Sequence, residues 1–424
     1  MSHHTVKSGY KSLVERLNKF PQGAPPSDTL YKILELLFSP KEARLVSLLP
    51  IKPFIAQDAA QIWKVSLKEA KNSLDELSSR AVLLDIDNNG ESTYILPPPM
   101  AGFFEFSLMR TGGKIDQKTL AELFNQYLNV EEDFVRELFT RGETQLGRTF
   151  VNEDALSENN ALHVLDFERA SQVIETSKYM GVGTCYCRHK KRHLNQACDA
   201  PMDICMTFSA SAESLTKHGY ARRVDKVEGM ELLHVAREHN LVQFGENTQK
   251  GVNFICNCCG CCCEALTAAR KFAFLNPVHT TNFLPHINET TCNGCGKCVN
   301  VCGVEAMNLT SSNNPHKPKE KKAVINEDRC LGCGVCVNVC PGESIFLKSI
   351  AKRVITPVNN AHRVVMMAIE RGTLQHLIFD KQALWNHRAM ATILGVILKL
   401  PPIKQIMASQ QIKSRYFGKL LENY

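Results

Sequence analysis

The stretch TCNGCGKCVNVCG, residues 291–303, is followed further along the chain by RCLGCGVCVNVCP, residues 329–341. Both space four cysteines as C-x2-C-x2-C-x3-C, so the chain carries one thiol pattern twice. Two-residue spacing lets three sulfurs of a loop point inward, and glycines such as Gly294 and Gly332 let the backbone approach closely. A four-iron cubane requires four thiolates, three from one tight loop and one from a distance. The repeat therefore predicts two iron–sulfur sites.

The two runs resemble the bacterial-type two-cluster [4Fe-4S] ferredoxin, over residues 285–350. In that family the fourth cysteine of each run binds the cluster of the other run. The resemblance implies that one cluster is held by Cys292, Cys295, Cys298 and Cys340. It implies that the other is held by Cys302, Cys330, Cys333 and Cys336. Gly303 departs from the family, which has proline there, and zinc binding or unpaired buried thiols are the alternatives for the repeat.

All 18 cysteines lie between Cys185 and Cys340. The first residues show neither an uninterrupted apolar segment nor a small-residue cleavage site, so we expect a cytoplasmic protein rather than a secreted one. Disulfides do not persist in a reducing compartment, and clustered cysteines there indicate metal binding or redox chemistry. A composition of 44% hydrophobic and 22% charged residues is typical of globular domains and excludes a disordered chain.

A second group of cysteines precedes the repeat with the spacing C-x-C-x10-C-x6-C. Its members are Cys185, Cys187, Cys198 and Cys205. Four thiols suffice for a third iron–sulfur cluster or for a tetrahedral zinc ion, and the sequence leaves both open. The basic run between residues 188 and 193 would offset the charge of an anionic cluster, or form a solvated charged loop.

A third group, ICNCCGCCCE at residues 255–264, holds six thiols within eight residues. Core packing does not explain this density, and one cubane cannot use all six. The sequence leaves three roles open: ligands of an additional cluster, ligands shared with the group at Cys185, or redox thiols that exchange with a disulfide. The six are Cys256, Cys258, Cys259, Cys261, Cys262 and Cys263. With GTCYCR upstream, this segment resembles multi-cluster ferredoxin-like proteins of anaerobic bacteria, which implies a cofactor rather than a substrate.

The region before the cysteines has helical apolar spacing from Leu30 onward and a hairpin signal, Asn89-Gly90, between residues 82 and 96. Helices followed by a hairpin resemble the winged-helix fold. Its candidate recognition helix, residues 67–80, mixes lysines with acidic residues, whereas DNA-binding helices usually present a basic face. A protein-docking or scaffold role is therefore favoured, and nucleic-acid binding stays as the alternative.

We expect an α+β, multi-domain architecture. The domains are a flexible lead-in (1–27), a winged-helix-like domain (28–100), a helical connector (101–180), a Cys-rich metal-binding domain (181–284), a two-cluster ferredoxin domain (285–350) and a basic helical tail (351–424). The formal charge is +7, yet residues 348–424 alone carry twelve Lys and Arg against three Asp and Glu. The basic character therefore belongs to the tail.

The tail segment 384–400 mixes apolar residues with Trp385, His387 and Arg388. Peripheral contact with an anionic membrane surface and packing against its own protein are the two alternatives. Its longest apolar run, residues 390–398, is about half of what a bilayer-spanning helix needs. No Walker or Rossmann pattern occurs in its required context, so we expect no nucleotide cofactor.

These features predict an iron–sulfur electron-transfer protein with two [4Fe-4S] clusters and a further Cys-ligated centre. It would act as a carrier or as the electron-transfer subunit of an oxidoreductase, with redox proteins as partners, rather than as a stand-alone enzyme. No residue is assigned a catalytic role. The alternative function is an iron–sulfur redox-sensing transcriptional regulator that uses the winged-helix-like domain.

Overall fold

The computed structural model describes residues 2–88, 90–111, 115–161, 164–273, 277–312, 315, 319–351, 353–380 and 385–398. Helices and antiparallel sheets are mixed along these residues, in agreement with the predicted α+β class. None of the helices within these ranges is long and apolar enough to cross a bilayer.

Helix α1 (Ser2–Leu17) occupies the segment that the sequence predicts to be a flexible lead-in. Tyr10, Leu13 and Leu17 follow helical spacing and are buried, because this face packs along the third helix, α3 (Pro40–Ser47). The segment predicted to be a flexible lead-in therefore contains a helix that packs into the core.

The following unit combines helices with a small antiparallel sheet. Ser27, Ser39 and Ser66 cap the N-termini of three of its helices, each accepting a hydrogen bond from a backbone N–H. The predicted hairpin is present, and a short strand from earlier in the chain joins it in the order β1-β3-β2. The elements are α2 (Asp28–Leu37), α3, β1 (Phe54–Ile55), α4 (Ala56–Trp63), α5 (Leu67–Ser79), β2 (Leu84–Asn88) and β3 (Glu91–Ile95).

The predicted helical connector contains helices together with one strand that belongs to the central sheet of the next region. Its elements are α6 (Phe104–Met109), α7 (Gln117–Asn125), α8 (Asp133–Thr140), β4 (Gly147–Thr149), α9 (Glu158–Ala161) and α10 (Ala170–Thr176). Aromatic side chains from α6, α7 and α8 pack together, with the Phe104 and Phe124 rings 5.0 Å apart. These rings belong to one hydrophobic core together with Cys187 and Leu266 of the cysteine-rich region.

The cysteine-rich region is built on a six-stranded antiparallel sheet. Its elements are β5 (Met180–Thr184), α11 (Tyr186–His193), β6 (Asp203–Phe208), α12 (Ser209–Lys217), β7 (Ala221–Val224), α13 (Lys226–Glu238), β8 (Val242–Glu246), β9 (Phe254–Cys258) and α14 (Glu264–Lys271). The strand order is β4-β8-β9-β6-β5-β7. This order brings the ends of β9, β6 and β5 together, and all three carry or precede cysteines.

The repeat region has two short sheets and two short helices. Its elements are β10 (Phe283–Ile287), α15 (Lys297–Val301), β11 (Met307–Ser311), β12 (Lys321–Ile325), α16 (Val335–Asn338) and β13 (Ile345–Ser349). Strand β10 pairs with β13 and β11 pairs with β12. Each short helix contains the third cysteine of its run, Cys298 in α15 and Cys336 in α16, so the two halves have the same local order.

The tail begins with helices that are anchored to the body: α17 (Asn360–Arg371), α18 (Leu374–Ile378) and α19 (Trp385–Leu398). The buried Arg363 guanidinium donates to the Glu246 carboxylate at 2.8 Å. Arg371 donates to the Pro21 and Leu138 carbonyls at 2.6 and 3.0 Å. Of the segment expected to contact a membrane, residues 384, 399 and 400 lie outside the described residues.

Candidate metal centres

The first cysteine loop surrounds a small cavity. Its lining includes the thiols of Cys292, Cys295, Cys298 and Cys340, so the last cysteine of the second run lies with the first three of the first run. Gly294 takes a left-handed conformation (φ 66°), and a Cβ there would lie 2.1 Å from the Lys321 carbonyl oxygen. Glycine is therefore required where the loop passes β12.

The second cysteine loop brings Cys330, Cys333 and Cys336 near Cys302, and the four influence one another electrostatically. Burial raises the pKa of the Cys330 thiol to about 12 and that of Cys333 to about 11, because a buried thiolate loses its hydration. A bound cation would favour the ionised form of these thiols, and cysteine must be ionised to bind a metal. Backbone N–H groups donate to Sγ of Cys302 and Cys330 at 3.2 and 3.3 Å.

The two loops differ in their exposure. Cys295 of the first loop is exposed to solvent. The second loop contacts the body, where the Asn152 and Thr281 amides donate to the Cys333 and Leu331 carbonyls, both at 2.9 Å. One site therefore faces outward and the other inward.

Six buried or half-buried thiols of the cysteine-rich region form a closed ring, which we call the six-thiol ring. Around the ring, each thiol is close enough to shift the pKa of the next, in the order Cys185, Cys187, Cys263, Cys258, Cys256 and Cys205, which returns to Cys185. The Sγ atoms of Cys258 and Cys263 are 3.1 Å apart. The ring combines part of the second sequence group with part of the third.

The sheet explains how these thiols converge. Cys256 and Cys258 are two residues apart on β9, so they point to one face, and Cys205 lies on β6, the neighbouring strand. Cys185 follows the end of β5. Cys263 is the residue before α14, and it brings its thiol back towards the strand ends. Three adjacent strands and one helix start therefore supply the ring.

Neighbouring thiols of the ring shift one another's pKa. Hydrogen bonds from neighbouring thiols lower the pKa of Cys185, Cys256 and Cys263. The pKa of each remaining member is raised by burial and by the same hydrogen bonds; these members are Cys187, Cys205 and Cys258. Each thiol of the ring is therefore close enough to its neighbours to change their ionisation, and the thiolate is the form in which cysteine binds metals.

A cavity of about 40 Å³ adjoins the ring and is lined by all six of its thiols. Apolar side chains such as Phe139, Phe244 and Phe254 form much of the remaining wall. The space is about twice that of the cavity at the first cysteine loop, which is about 20 Å³. The chamber also holds Glu105, whose pKa is raised well above its ordinary value by burial and by the neighbouring Cys256.

The other four thiols of the region form a second group, which we call the four-thiol group. It contains Cys198, Cys259, Cys261 and Cys262, whose Sγ atoms all lie within 4.8 Å of one another. The predicted quartet at Cys185 is thus divided, because Cys198 follows the end of α11 and lies in the loop before β6. From there it contacts Cys259 and Cys262 rather than the ring.

The basic run is not the solvated loop that the sequence leaves open. Arg188, His189 and Lys190 are buried in α11. Arg188 donates to the Pro201 and Asn257 carbonyls at 2.8 and 2.7 Å; burial alone would lower its pKa, but nearby thiolates raise it above its ordinary value. Lys190 forms a buried ion pair with Glu264 at the start of α14. Buried positive charge therefore lies beside the thiols. The sequence around Cys-Tyr-Cys-Arg does not indicate this burial.

A family model described as a 4Fe-4S dicluster domain matches residues 291–344. No curated protein and no solved structure matches the chain. The match and the two cysteine loops together identify an iron–sulfur, ferredoxin-like domain that supports [4Fe-4S] binding and an electron-transfer role.

Proposed function

We propose that the chain transfers electrons through two [4Fe-4S] clusters in the ferredoxin-like domain. The supporting observation is the cavity at the first loop, whose lining contains three cysteines of one run and the fourth of the other. The first ligand set is Cys292, Cys295, Cys298 and Cys340. The second is Cys302, Cys330, Cys333 and Cys336. Bound clusters supply one-electron chemistry, and the protein supplies burial and N–H hydrogen bonds to the sulfurs.

The proposed route of the electrons follows from the exposure of the two sites. A redox partner protein would reach the site at the exposed Cys295, while Cys302 lies next to the body of the chain. Gly303 contacts Gly260 in the middle of the third cysteine group, with Gly260 Cα and N only 3.3 and 3.4 Å from where a Gly303 Cβ would lie. The two domains therefore meet backbone to backbone between cysteines of both.

The six-thiol ring is the proposed further redox centre, and it is polynuclear. Six thiols exceed the four that a cubane uses, and the enclosed 40 Å³ is several times the roughly 10–15 Å³ that one water needs. Arg188 lies where it would offset part of the negative charge of a thiolate-bound cluster. The chain would then act as an electron-transfer unit, or as such a subunit of an oxidoreductase, that joins an outer site to an enclosed one.

Iron and sulfide analysis of the full chain, prepared anaerobically, tests this proposal. The ferredoxin-like domain alone would account for about eight irons per chain. We expect more than eight, and we expect the excess to be lost when Cys185 and Cys187 are changed to Ser. The paramagnetic signals of the two reduced [4Fe-4S] clusters should persist in that variant. Eight irons per chain, both in the unmodified chain and in the variant, would refute the centre in the ring. That result would still agree with two clusters in the ferredoxin-like domain.

Protein partners are favoured over nucleic acid by the exposed face of α5. Lys68 and Lys71 lie there beside Glu69 and Glu76, so the face carries no net positive charge. In addition, the Asp85 carboxylate at the start of the hairpin accepts a hydrogen bond from the Ser214 hydroxyl of α12, which ties this unit to the cysteine-rich region. Binding of duplex DNA that changes with cluster oxidation would instead favour the redox-sensing regulator.

A further inference from the structure

The four-thiol group has the dimensions of a site for one metal ion. The Sγ atoms of Cys198 and Cys259 are 3.5 Å apart, those of Cys261 and Cys262 are 3.7 Å apart, and those of Cys198 and Cys262 are 3.8 Å apart. Four thiolates bound at about 2.3 Å to a single tetrahedral zinc ion lie about 3.8 Å from one another. These three separations match that tetrahedron, and the remaining three are no longer than 4.8 Å.

The cysteine sulfurs lie further apart in the two sites that we assign to cubanes than in the four-thiol group. The thiolates of a cubane bind four different irons at the corners of a cluster, so they lie further apart than thiolates that share one ion. Among the described residues, which include both cysteine loops, no other set of three or more Cys, His, Asp or Glu ligand atoms is as compact. The four-thiol group therefore differs in kind from the ferredoxin-like sites of the same chain.

We propose that Cys198, Cys259, Cys261 and Cys262 bind a single zinc ion in a closed, structural site. Four protein thiolates fill a tetrahedral coordination sphere and leave no position for a substrate. The ion would join the loop after α11 to the turn after β9, two segments that are about 60 residues apart in the sequence.

The zinc ion would hold in place the turn at which the cysteine-rich region meets the ferredoxin-like domain. The turn that it fixes contains Gly260, which contacts the ferredoxin-like domain, and it lies between Cys258 and Cys263 of the six-thiol ring. Arg188 interacts electrostatically with Cys259 and donates to the Pro201 carbonyl in the loop after α11 and to the Asn257 carbonyl in β9, just before the turn. Its charge offsets part of the negative charge that four thiolates leave on a divalent ion.

Metal analysis of the full chain, produced anaerobically with both iron and zinc present, tests the proposal. We expect one zinc per chain, with an X-ray absorption signature of four sulfur neighbours at about 2.3 Å. Cys261 is exposed, so Cys261→Ala should disturb the fold little; it should remove the zinc and leave the iron unchanged. Cys295→Ala, which alters an equally exposed cysteine of the first loop, should lower the iron and keep the zinc.

Three results would overturn the proposal: no zinc in the purified chain, one iron in its place, or a loss of about four irons in Cys261→Ala, which would indicate a cubane. Should Cys261→Ala fail to fold, Cys261→His provides a second test, because histidine also binds zinc. That variant should keep the zinc with three sulfur neighbours and one nitrogen. Four sulfur neighbours after this change would exclude Cys261 as a ligand and refute the assignment.

Discussion

Replacing Gly260 by Ala tests whether the cysteine-rich region and the ferredoxin-like domain are held in direct backbone contact. A Cβ at position 260 would lie 2.5 Å from Gly303 Cα and 2.6 Å from the Gly303 carbonyl oxygen. Neither glycine has a left-handed backbone conformation, so the substitution tests the contact and adds no backbone strain.

The size of the effect follows from these distances. Non-bonded carbon atoms are most stable at about 3.5–4.0 Å, so the two backbones would have to separate by about 1 Å. Overpacking of this kind costs about 1–3 kcal/mol. Because about 1.4 kcal/mol corresponds to a tenfold change in an equilibrium, the population with the domains apart should rise by about 5- to 150-fold.

Hydrogen exchange at the domain contact measures this change. The Asn152 and Thr281 amides donate to carbonyls of the second cysteine loop, so they exchange when that loop leaves the body. In Gly260→Ala, we expect exchange at these two amides to be faster by the same factor, with the iron content unchanged. Reduction of the proposed centre in the six-thiol ring by an external donor should become slower, because the gap between the domains widens.

Gly303→Ala is the matched control, since it adds the same methyl group from the opposite side. Its Cβ would lie 3.3 Å from Gly260 Cα and 3.4 Å from Leu266 Cδ1, which small shifts can relieve. Alanine also lowers the entropy of the unfolded chain, which stabilises by about 0.4–1 kcal/mol at compatible positions. We expect nearly unchanged exchange. Equal effects of the two variants, or none from Gly260→Ala, would refute the reasoning.

Three further predictions concern single sites. Cys333→Ala should remove the signal of one [4Fe-4S] cluster and preserve the other; retention of both signals would contradict the ligand assignment. Lys190→Met should destabilise the fold by about 3–5 kcal/mol in denaturant titrations, because it leaves the Glu264 charge buried and unpaired, and Lys190→Met with Glu264→Leu should recover most of the loss. Burial and the Arg148 charge lower the pKa of His279 to about 4, so the unfolded chain binds a proton that the folded chain excludes. Stability should therefore fall as the pH drops from about 6.5 towards 4, and His279→Gln should fall less steeply; parallel pH curves would exclude this role for His279.

The sequence predicts the cysteine repeat well because most of its geometry is local. Three ligands of each proposed site fall within seven residues, and the loop that carries them is defined by its glycines. The hairpin at Gly90 is predictable for the same reason, since a two-residue turn and alternating strands are encoded side by side. In these cases the local sequence determines the geometry, and tertiary contacts contribute little to it.

The grouping of the other ten cysteines was beyond sequence analysis, because the sheet determines it. Spacing alone placed Cys198 with Cys205, yet Cys205 points from β6 into the ring while Cys198 precedes that strand. The alternation of Cys256 and Cys258 along β9 was a usable signal for a shared face. Nothing local, however, indicates that β9 neighbours β6 or that the chain turns back at Cys263.

The lining of the six-thiol chamber favours the proposed metal centre over an interpretation of the thiols as core packing. Six thiols line an enclosed, largely apolar chamber, and metal binding there would require several of them to be ionised. Burying charge without compensation is costly, and burial together with the neighbouring Cys256 accordingly raises the pKa of Glu105 well above its ordinary value. Arg188 supplies one positive charge. A cationic metal core at the centre of the ring would neutralise the remaining charge, and the same core would explain why six thiols, rather than apolar side chains, surround the cavity.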